Sequence, residues 1–177
     1  DATESIARQA AGWAARLAWS DIPPAVIDHA KLRILDVAGV LLAASRSDEA
    51  NRAFASALEL YGAGAYPVIG FAERCGLAGA ALVNGAMSAV LEFDDTHVES
   101  AVHPTAPVLA ATAPFAVNAG LTGQALIRAV IIGSELLCRI GQIKPRFHSL
   151  LFHPTGLLGS FGAAYALASL ARMDADA

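Results

Sequence analysis

Apolar residues recur every three to four positions through most of this sequence, which is the spacing of amphipathic α-helices. The clearest case covers residues 25–44, where Asp28, Lys31 and Asp36 fall outside the apolar stripe. That stripe consists of Ile27, Ala30, Ile34, Val37, Ala38 and Leu41. Pro23 and Pro24 precede it, and proline suits the first turn of a helix. We therefore predict a long helix with one buried face.

The same periodicity predicts six further helices, separated by proline, glycine and polar residues. They cover residues 3–19, 47–61, 76–92, 107–119, 122–143 and 155–172. In the first helix, the predicted packing face consists of Ile6, Ala10, Trp13, Ala14 and Leu17. Residues 66–71 favour an extended segment, because they are short, β-compatible and bounded by turn residues. The predicted fold class is all-α, a packed helical bundle with little or no sheet, formed by residues 1–177 as one domain.

Composition supports a globular chain and excludes two classes of protein. Of the 177 residues, 55% are hydrophobic and 16% are charged, which is not the composition of a disordered protein. The formal net charge is -4, and no basic run occurs. Nucleic acid is therefore not an expected partner.

Three features of the sequence bear on the cellular location of the protein. Residues 104–127 lack charges but hold three prolines, two glycines and polar side chains, so we do not expect them to cross a membrane. The first residues are not followed by the apolar run of a secretory leader. Cys75 and Cys138 are far apart and form no CxxC pair, as is typical of reduced thiols. A cytoplasmic location is expected.

Chemistry-bearing side chains concentrate in two polar loops between apolar helices. The first loop covers residues 92–104 and carries Glu92, Asp94, Asp95, Thr96, His97 and His103. Burial and mutual proximity can bring the pKa values of such groups toward neutrality, which suits acid–base catalysis. The second loop, residues 147–156, carries His148, and it places His153 just before a predicted helix, whose N-terminal N–H groups favour anions.

Each of these residues also has a structural interpretation. Asp94, Asp95 and Thr96 are residue types that dominate caps and turns, and His29 lies on a predicted solvent face. A metal site is an alternative, although the spacing of the aspartates and histidines fits no known zinc or two-metal motif. The sequence His-Pro-Thr occurs twice, at His103 and at His153, each time where a helix begins. That repetition favours a functional interpretation.

These segments together resemble the MmgE/PrpD family. The resemblance rests on residues 84–86, 91–97, 103–109 and 152–164, and it extends over essentially the whole chain. The family includes 2-methylcitrate dehydratase, cis-aconitate decarboxylase and iminodisuccinate epimerase. It implies a large helical domain with a smaller α+β lid, a homodimer, and an active site in the cleft between the domains.

The resemblance also implies chemistry on small di- and tricarboxylates without a metal or organic cofactor. It assigns catalytic roles to His103, His153, Glu92 and Thr96, with Glu92 standing where the decarboxylase branch has an aspartate. The neighbouring Asp95 and His97 are expected to bind substrate. Dehydration is the first expectation, because it is the commonest assignment in the family. Which histidine acts as acid and which as base stays open.

One departure from the family pattern concerns the cations. Family members are more than twice as long, and their catalytic lysines lie beyond this chain, which has only Lys31 and Lys144. Arg146 is the nearest alternative, so we expect the chain alone to bind a tricarboxylate poorly. We expect it to be the helical part of a larger enzyme, as a fragment, a truncated product or one subunit of a split enzyme. Its partner would be a second copy or a chain carrying the lid.

Two functions from other classes stay open at this point. A noncatalytic helical module for dimerisation or scaffolding would need no lid and no substrate. A metal-dependent hydrolase would retain stoichiometric metal through purification. Assays of the chain alone and with a lid-bearing partner, on aconitate-like substrates, separate these hypotheses from the lyase.

Overall fold

A computed structural model describes residues 4–143 and 153–175. Within them lie seven α-helices: α1 (Ile6–Arg16), α2 (Pro24–Ala44), α3 (Asp48–Tyr61), α4 (Leu77–Val90), α5 (Thr105–Asn118), α6 (Gly123–Gly141) and α7 (Pro154–Leu170). Two short strands, β1 (Ala63–Pro67) and β2 (Arg74–Cys75), pair antiparallel between α3 and α4. A 3-10 turn, Trp19–Asp21, follows α1. The predicted helical bundle with very little sheet is confirmed.

Side-chain caps decide where several helices begin. Ser5, Ser47 and Thr122 each accept a hydrogen bond from a backbone N–H in the first turn of α1, α3 and α6. The cap at Ser5 starts α1 at Ile6, three residues later than predicted. In contrast, α5 starts two residues earlier than predicted, because the Asp95 carboxylate accepts from the Thr105 N–H.

The predicted buried face of α2 is confirmed, since Val37 and Leu41 are fully buried and Ala30 nearly so. They join a core to which α2 through α7 all contribute. The predicted face of α1 is only partly right, because Ile6 is 85% exposed. Ile6 is the first residue of α1, ahead of Ala14, which packs in a separate small cluster against Ile132 of α6.

The predicted extended segment, residues 66–71, overlaps the observed strand β1 only at Tyr66 and Pro67. Strand β1 begins at Ala63 and ends at Pro67, where it pairs with Arg74. Gly64 permits this pairing, because a Cβ at that position would lie 2.5 Å from the carbonyl oxygen of Cys75. The sequence pattern did not predict β2, because a strand of two residues is too short to show an alternation of apolar and polar positions.

Helices α6 and α7 cross at a pair of glycines that lets their backbones touch. A Cβ on Gly133 would lie 2.6 Å from the carbonyl oxygen of Gly162, and one on Gly162 would lie 2.7 Å from that of Gly133. This crossing sets the position of α7, whose N-cap residue is His153. Over residues 4–143 and 153–175, no helix is both long and apolar enough to cross a membrane.

Candidate active site

The loop between α4 and α5 is folded back on itself before it enters α5. The His97 N–H donates to the carbonyl oxygen of Val102 at 2.9 Å, which closes a tight turn around buried Ser100. Asp95 then ties the loop to the start of α5: its carboxylate accepts from the Thr105 N–H at 3.0 Å and from the Thr105 hydroxyl at 2.6 Å. These bonds fix the backbone on either side of His103.

The Nδ1 atom of His103 lies among three oxygens. They are the carbonyl oxygen of Asp95 at 3.2 Å, the Thr96 hydroxyl at 3.3 Å and the Asp94 carboxylate at 3.5 Å. Because a carbonyl oxygen can only accept, the contact with Asp95 requires a proton on Nδ1. In the neutral ring, the lone pair is then on Nε2, which bonds to no residue in the described part of the chain.

The His153 ring has the opposite arrangement. It caps α7, and its Nδ1 accepts a hydrogen bond from the Gly156 N–H at 3.3 Å. A backbone N–H can only donate, so Nδ1 holds the lone pair and Nε2 of the neutral ring carries the proton. The two histidines therefore present different groups: a proton acceptor on His103 and a proton donor on His153.

The structure brings His103 and His153 together. Their ring centroids are 5.8 Å apart, and the ring planes differ by 1°. The two His-Pro-Thr segments are also linked through the backbone, because the His103 N–H donates to the Thr155 hydroxyl at 2.9 Å. We refer to these two residues as the histidine pair. Thr155, which belongs to the same segment as His153, therefore binds the backbone of His103.

The other predicted site residues of the loop differ in how they relate to the histidine pair. Thr96 contacts His103, and Asp95 holds the loop through Thr105. Glu92 is exposed at a positive φ of 55°, and its carboxylate bonds to no described residue. Asp94, which sequence reasoning did not place in the site, is the carboxylate at His103. No signal in the sequence separates Asp94 from Glu92 and Asp95, which are acidic residues of the same loop.

His97 faces another part of the molecule. Its Nδ1 lies 2.8 Å from the Ser100 hydroxyl, and its Nε2 lies 3.4 Å from the Glu99 carboxylate. Its ring lines a cavity of about 370 Å³ between α2 and α6, here called the α2–α6 cavity. His29 lines the same cavity, whereas His148 lies outside the described residues. Neither member of the histidine pair belongs to the cavity lining.

In the described ranges, the charged side chain that contacts the histidine pair is the Asp94 carboxylate. Lys31 pairs with Asp28 at 2.9 Å on the surface of α2. Lys144 and Arg146 lie outside the described residues. No three histidine, cysteine, aspartate or glutamate side chains in residues 4–143 and 153–175 are placed to share a metal ion. The described chemistry at the pair is that of imidazole, hydroxyl and carboxylate groups.

Comparisons with known proteins identify relatives of this chain. The family model of the MmgE/PrpD N-terminal domain matches residues 8–177. Cis-aconitate decarboxylase of Aspergillus terreus is 31% identical over 149 residues, which cover 80% of this chain and 30% of that protein. Cis-aconitate decarboxylase-like protein oryM of Aspergillus oryzae is 28% identical over 182 residues, covering 97% of this chain and 38% of that protein. The chain thus spans less than two fifths of the length of these relatives.

Proposed function

The chain belongs to the MmgE/PrpD family, matching its N-terminal domain, and from this we propose that it supplies the helical half of an active site for cofactor-free lyase or isomerase chemistry. The substrate class is a small di- or tricarboxylate. The observation that carries the proposal is the histidine pair, with ring centroids 5.8 Å apart and opposite proton positions. Such a pair offers one proton acceptor and one proton donor within the span of a small substrate.

His103 is the general base in this proposal. Its Nε2 takes a proton from a carbon next to a substrate carboxylate, and the Asp94 carboxylate stabilises the imidazolium that results. The Asp95 carbonyl oxygen and the Thr96 hydroxyl hold the ring in the tautomer that this step needs. In this proposal Asp95 positions His103, and substrate binding by Asp95 stays a prediction.

His153 is the proton donor. Its Nε2–H protonates the departing hydroxide in a dehydration, so that a proton and a hydroxide leave as water and a carbon–carbon double bond forms. Glu92 orients the substrate from the exposed start of the loop, and Thr96 adds a hydroxyl beside the pair. Substrate binding by His97 stays a prediction, since its contacts lie on the α2–α6 cavity side.

Decarboxylation is the second candidate reaction, and the names of the two relatives, a cis-aconitate decarboxylase and a cis-aconitate decarboxylase-like protein, favour it. In that reaction a carbon–carbon bond breaks, carbon dioxide leaves, and the electron pair stays on carbon, which then takes a proton. The same donor serves this step. Both reactions need cations to neutralise the substrate, so we propose that a second copy or a lid-bearing chain supplies them.

An enzyme assay tests the proposal. The chain, alone and mixed with a lid-bearing partner, is given 2-methylcitrate or cis-aconitate, and the absorbance of the conjugated double bond is followed. Dehydration raises the signal from 2-methylcitrate, whereas decarboxylation releases carbon dioxide from cis-aconitate. Failure of the mixture on every polycarboxylate would contradict the proposal.

The Asp94→Asn variant tests the role of the histidine pair within that assay. We expect its turnover to fall by about a hundredfold, because the imidazolium of His103 loses its carboxylate partner. Glu59→Gln, an exposed carboxylate of α3, is the matched control and should keep full turnover. Nitrogen NMR of the wild-type chain should show the His103 proton on Nδ1. A proton on Nε2 would overturn the assignment of His103 as base.

A noncatalytic dimerisation module is the second candidate function, favoured by the surface of α2. Three leucines, Leu32, Leu35 and Leu42, are 63%, 70% and 58% exposed on this helix. Exposed apolar patches mark association surfaces, and a second copy of α2 would cover them. Sedimentation of the chain with Leu35→Glu tests this: loss of a dimer with retained lyase activity in the mixture would separate association from catalysis.

A further inference from the structure

We propose that the α2–α6 cavity binds a small carboxylate anion, at a site separate from the histidine pair. The cavity measures about 370 Å³, within the range of pockets that hold small molecules. It is lined on one side by His29 and Arg33 of α2 and on the other by Ser134 of α6. His97 of the loop before α5 also lines it.

Arg33 supplies the positive charge of the site. Its guanidinium forms no hydrogen bond or ion pair with any residue in the described ranges, although it lines a cavity. Arg33 lines the cavity together with Ser134 and Cys138 of α6, so its side chain faces the same space as the α6 wall. The planar fork of an arginine matches the two oxygens of a carboxylate.

Ser134 provides the second, independent observation. The residue is 9% exposed, and its hydroxyl has no hydrogen-bond partner among the described residues. Buried polar atoms almost always have a partner, so an unpartnered hydroxyl in a cavity wall indicates a missing acceptor. A carboxylate oxygen held by Arg33 would be such an acceptor.

The remaining walls fit an organic acid better than an inorganic cation. Glu135 also lines the cavity, but its carboxylate is already bound by Arg139 at 2.6 Å. Val130 and Ile131 give the cavity an apolar side for a short carbon chain. The proposed ligand is therefore a small organic carboxylate such as a dicarboxylate, with its charge at Arg33 and its carbons against α6.

The test is a titration of the isotope-labelled chain with succinate and with citrate, followed by NMR and calorimetry. Saturable binding with shifts at Ser134 and Arg33 is expected, whereas neutral succinamide should cause none. Arg33→Met should weaken binding about tenfold or more, because it removes a charge-assisted contact. Ser134→Ala should weaken it severalfold while the helix is retained, since alanine favours helix formation. Arg52→Met, an exposed arginine of α3, is the matched control and should bind normally.

One further variant tests this proposal independently of the proposed enzyme activity. His153→Asn alters the histidine pair only, so it should leave binding unchanged if the cavity is the site. Absence of saturable binding to the folded chain, equal affinity in Arg33→Met, or loss of binding in His153→Asn would each overturn the proposal. None of these outcomes depends on whether the chain turns over a polycarboxylate.

Discussion

At the scale of single residues, the histidine pair shows how neighbouring backbone atoms choose a tautomer. A carbonyl oxygen beside Nδ1 of His103 keeps a proton there, and a backbone N–H beside Nδ1 of His153 keeps a lone pair there. The Nε2 atoms of the two rings are therefore chemically different although the side chains are identical. This difference is what allows one ring to accept a proton while the other donates one.

His153 combines two functions that substitution can separate. As the N-cap of α7 it accepts from the Gly156 N–H, and an asparagine side chain can accept that bond, whereas alanine cannot. His153→Ala should lower the free energy of unfolding by about 1 kcal/mol, and His153→Asn should leave it nearly unchanged. Both variants should lose about a hundredfold in turnover, because neither has an imidazole. Urea unfolding and the lyase assay measure the two effects; full turnover in His153→Asn would refute the donor role.

The sequence allowed part of this site to be predicted. The repeated His-Pro-Thr segments pointed to His103 and His153, and the structure places the two rings side by side. Which acidic residue lies at His103 could not be predicted, because Glu92, Asp94 and Asp95 are alike in type and close in sequence. The fold of the loop decides it: Glu92 is exposed, whereas the Asp94 carboxylate lies 3.5 Å from Nδ1 of the ring.

At the scale of helices and strands, the α6–α7 crossing depends on glycine at two positions. Gly133→Ala should lower the free energy of unfolding by about 2 kcal/mol, because its Cβ would lie 2.6 Å from the carbonyl oxygen of Gly162. Gly39→Ala on α2 is the matched control, since a Cβ there meets nothing within 4 Å. It should stabilise the chain by about 0.5 kcal/mol through helix propensity. Thermal unfolding of both variants measures the difference, and equal effects would contradict the close approach.

Arg128 holds the end of α1 against the bundle. Its guanidinium donates to the carbonyl oxygens of Leu17 at 2.6 Å and Ala14 at 2.9 Å, and to the Ser169 hydroxyl at 2.6 Å. Burial lowers the pKa of Arg128, so these acceptors compensate a desolvated charge.

Replacing that guanidinium should release α1. Arg128→Met removes three donors, and we expect it to lower the free energy of unfolding by about 2 kcal/mol and to speed amide exchange mainly in α1. Arg46→Met, at an exposed position in the turn that follows α2, should change neither quantity. Exchange in α1 that matches the wild type would show that packing around Ala14, rather than Arg128, holds this helix.

Element boundaries show why the fold was predicted better than its details. Periodicity located the α2 helix because its buried face repeats over 21 residues. It missed the two residues of β2, which are too few to show alternation. It also placed the start of α5 at Pro107, two residues late, since the N–H of Thr105 is bound by Asp95, ten residues earlier in the chain. Contacts between residues that are distant in sequence set these boundaries. The periodicity of a short stretch of sequence carries no information about such contacts.

At the scale of the whole molecule, α2 through α7 share one hydrophobic core, so a substitution that disrupts the packing of one helix should destabilise the others as well. Cys75 is fully buried in this core, and Cys138 is half-buried beside the α2–α6 cavity. Neither forms a disulfide, and burial raises the pKa of both thiols above the ordinary value. The two thiols therefore couple the stability of the fold to pH.

The sign of that coupling follows from where the thiols ionise first. In the unfolded chain they lose their protons near pH 9, the ordinary thiol pKa, whereas the folded chain keeps them to higher pH. The unfolded state then binds fewer protons, so the free energy of unfolding falls as pH rises through about 9, by at most about 1.4 kcal/mol per pH unit for each thiol. Below pH 8 this contribution should not vary. Urea midpoints between pH 7 and pH 10 measure the slope, and the Cys75→Ala/Cys138→Ala double variant should flatten it, even though its stability at pH 7 is lower. An unchanged slope in that variant would assign the alkaline loss of stability to other groups.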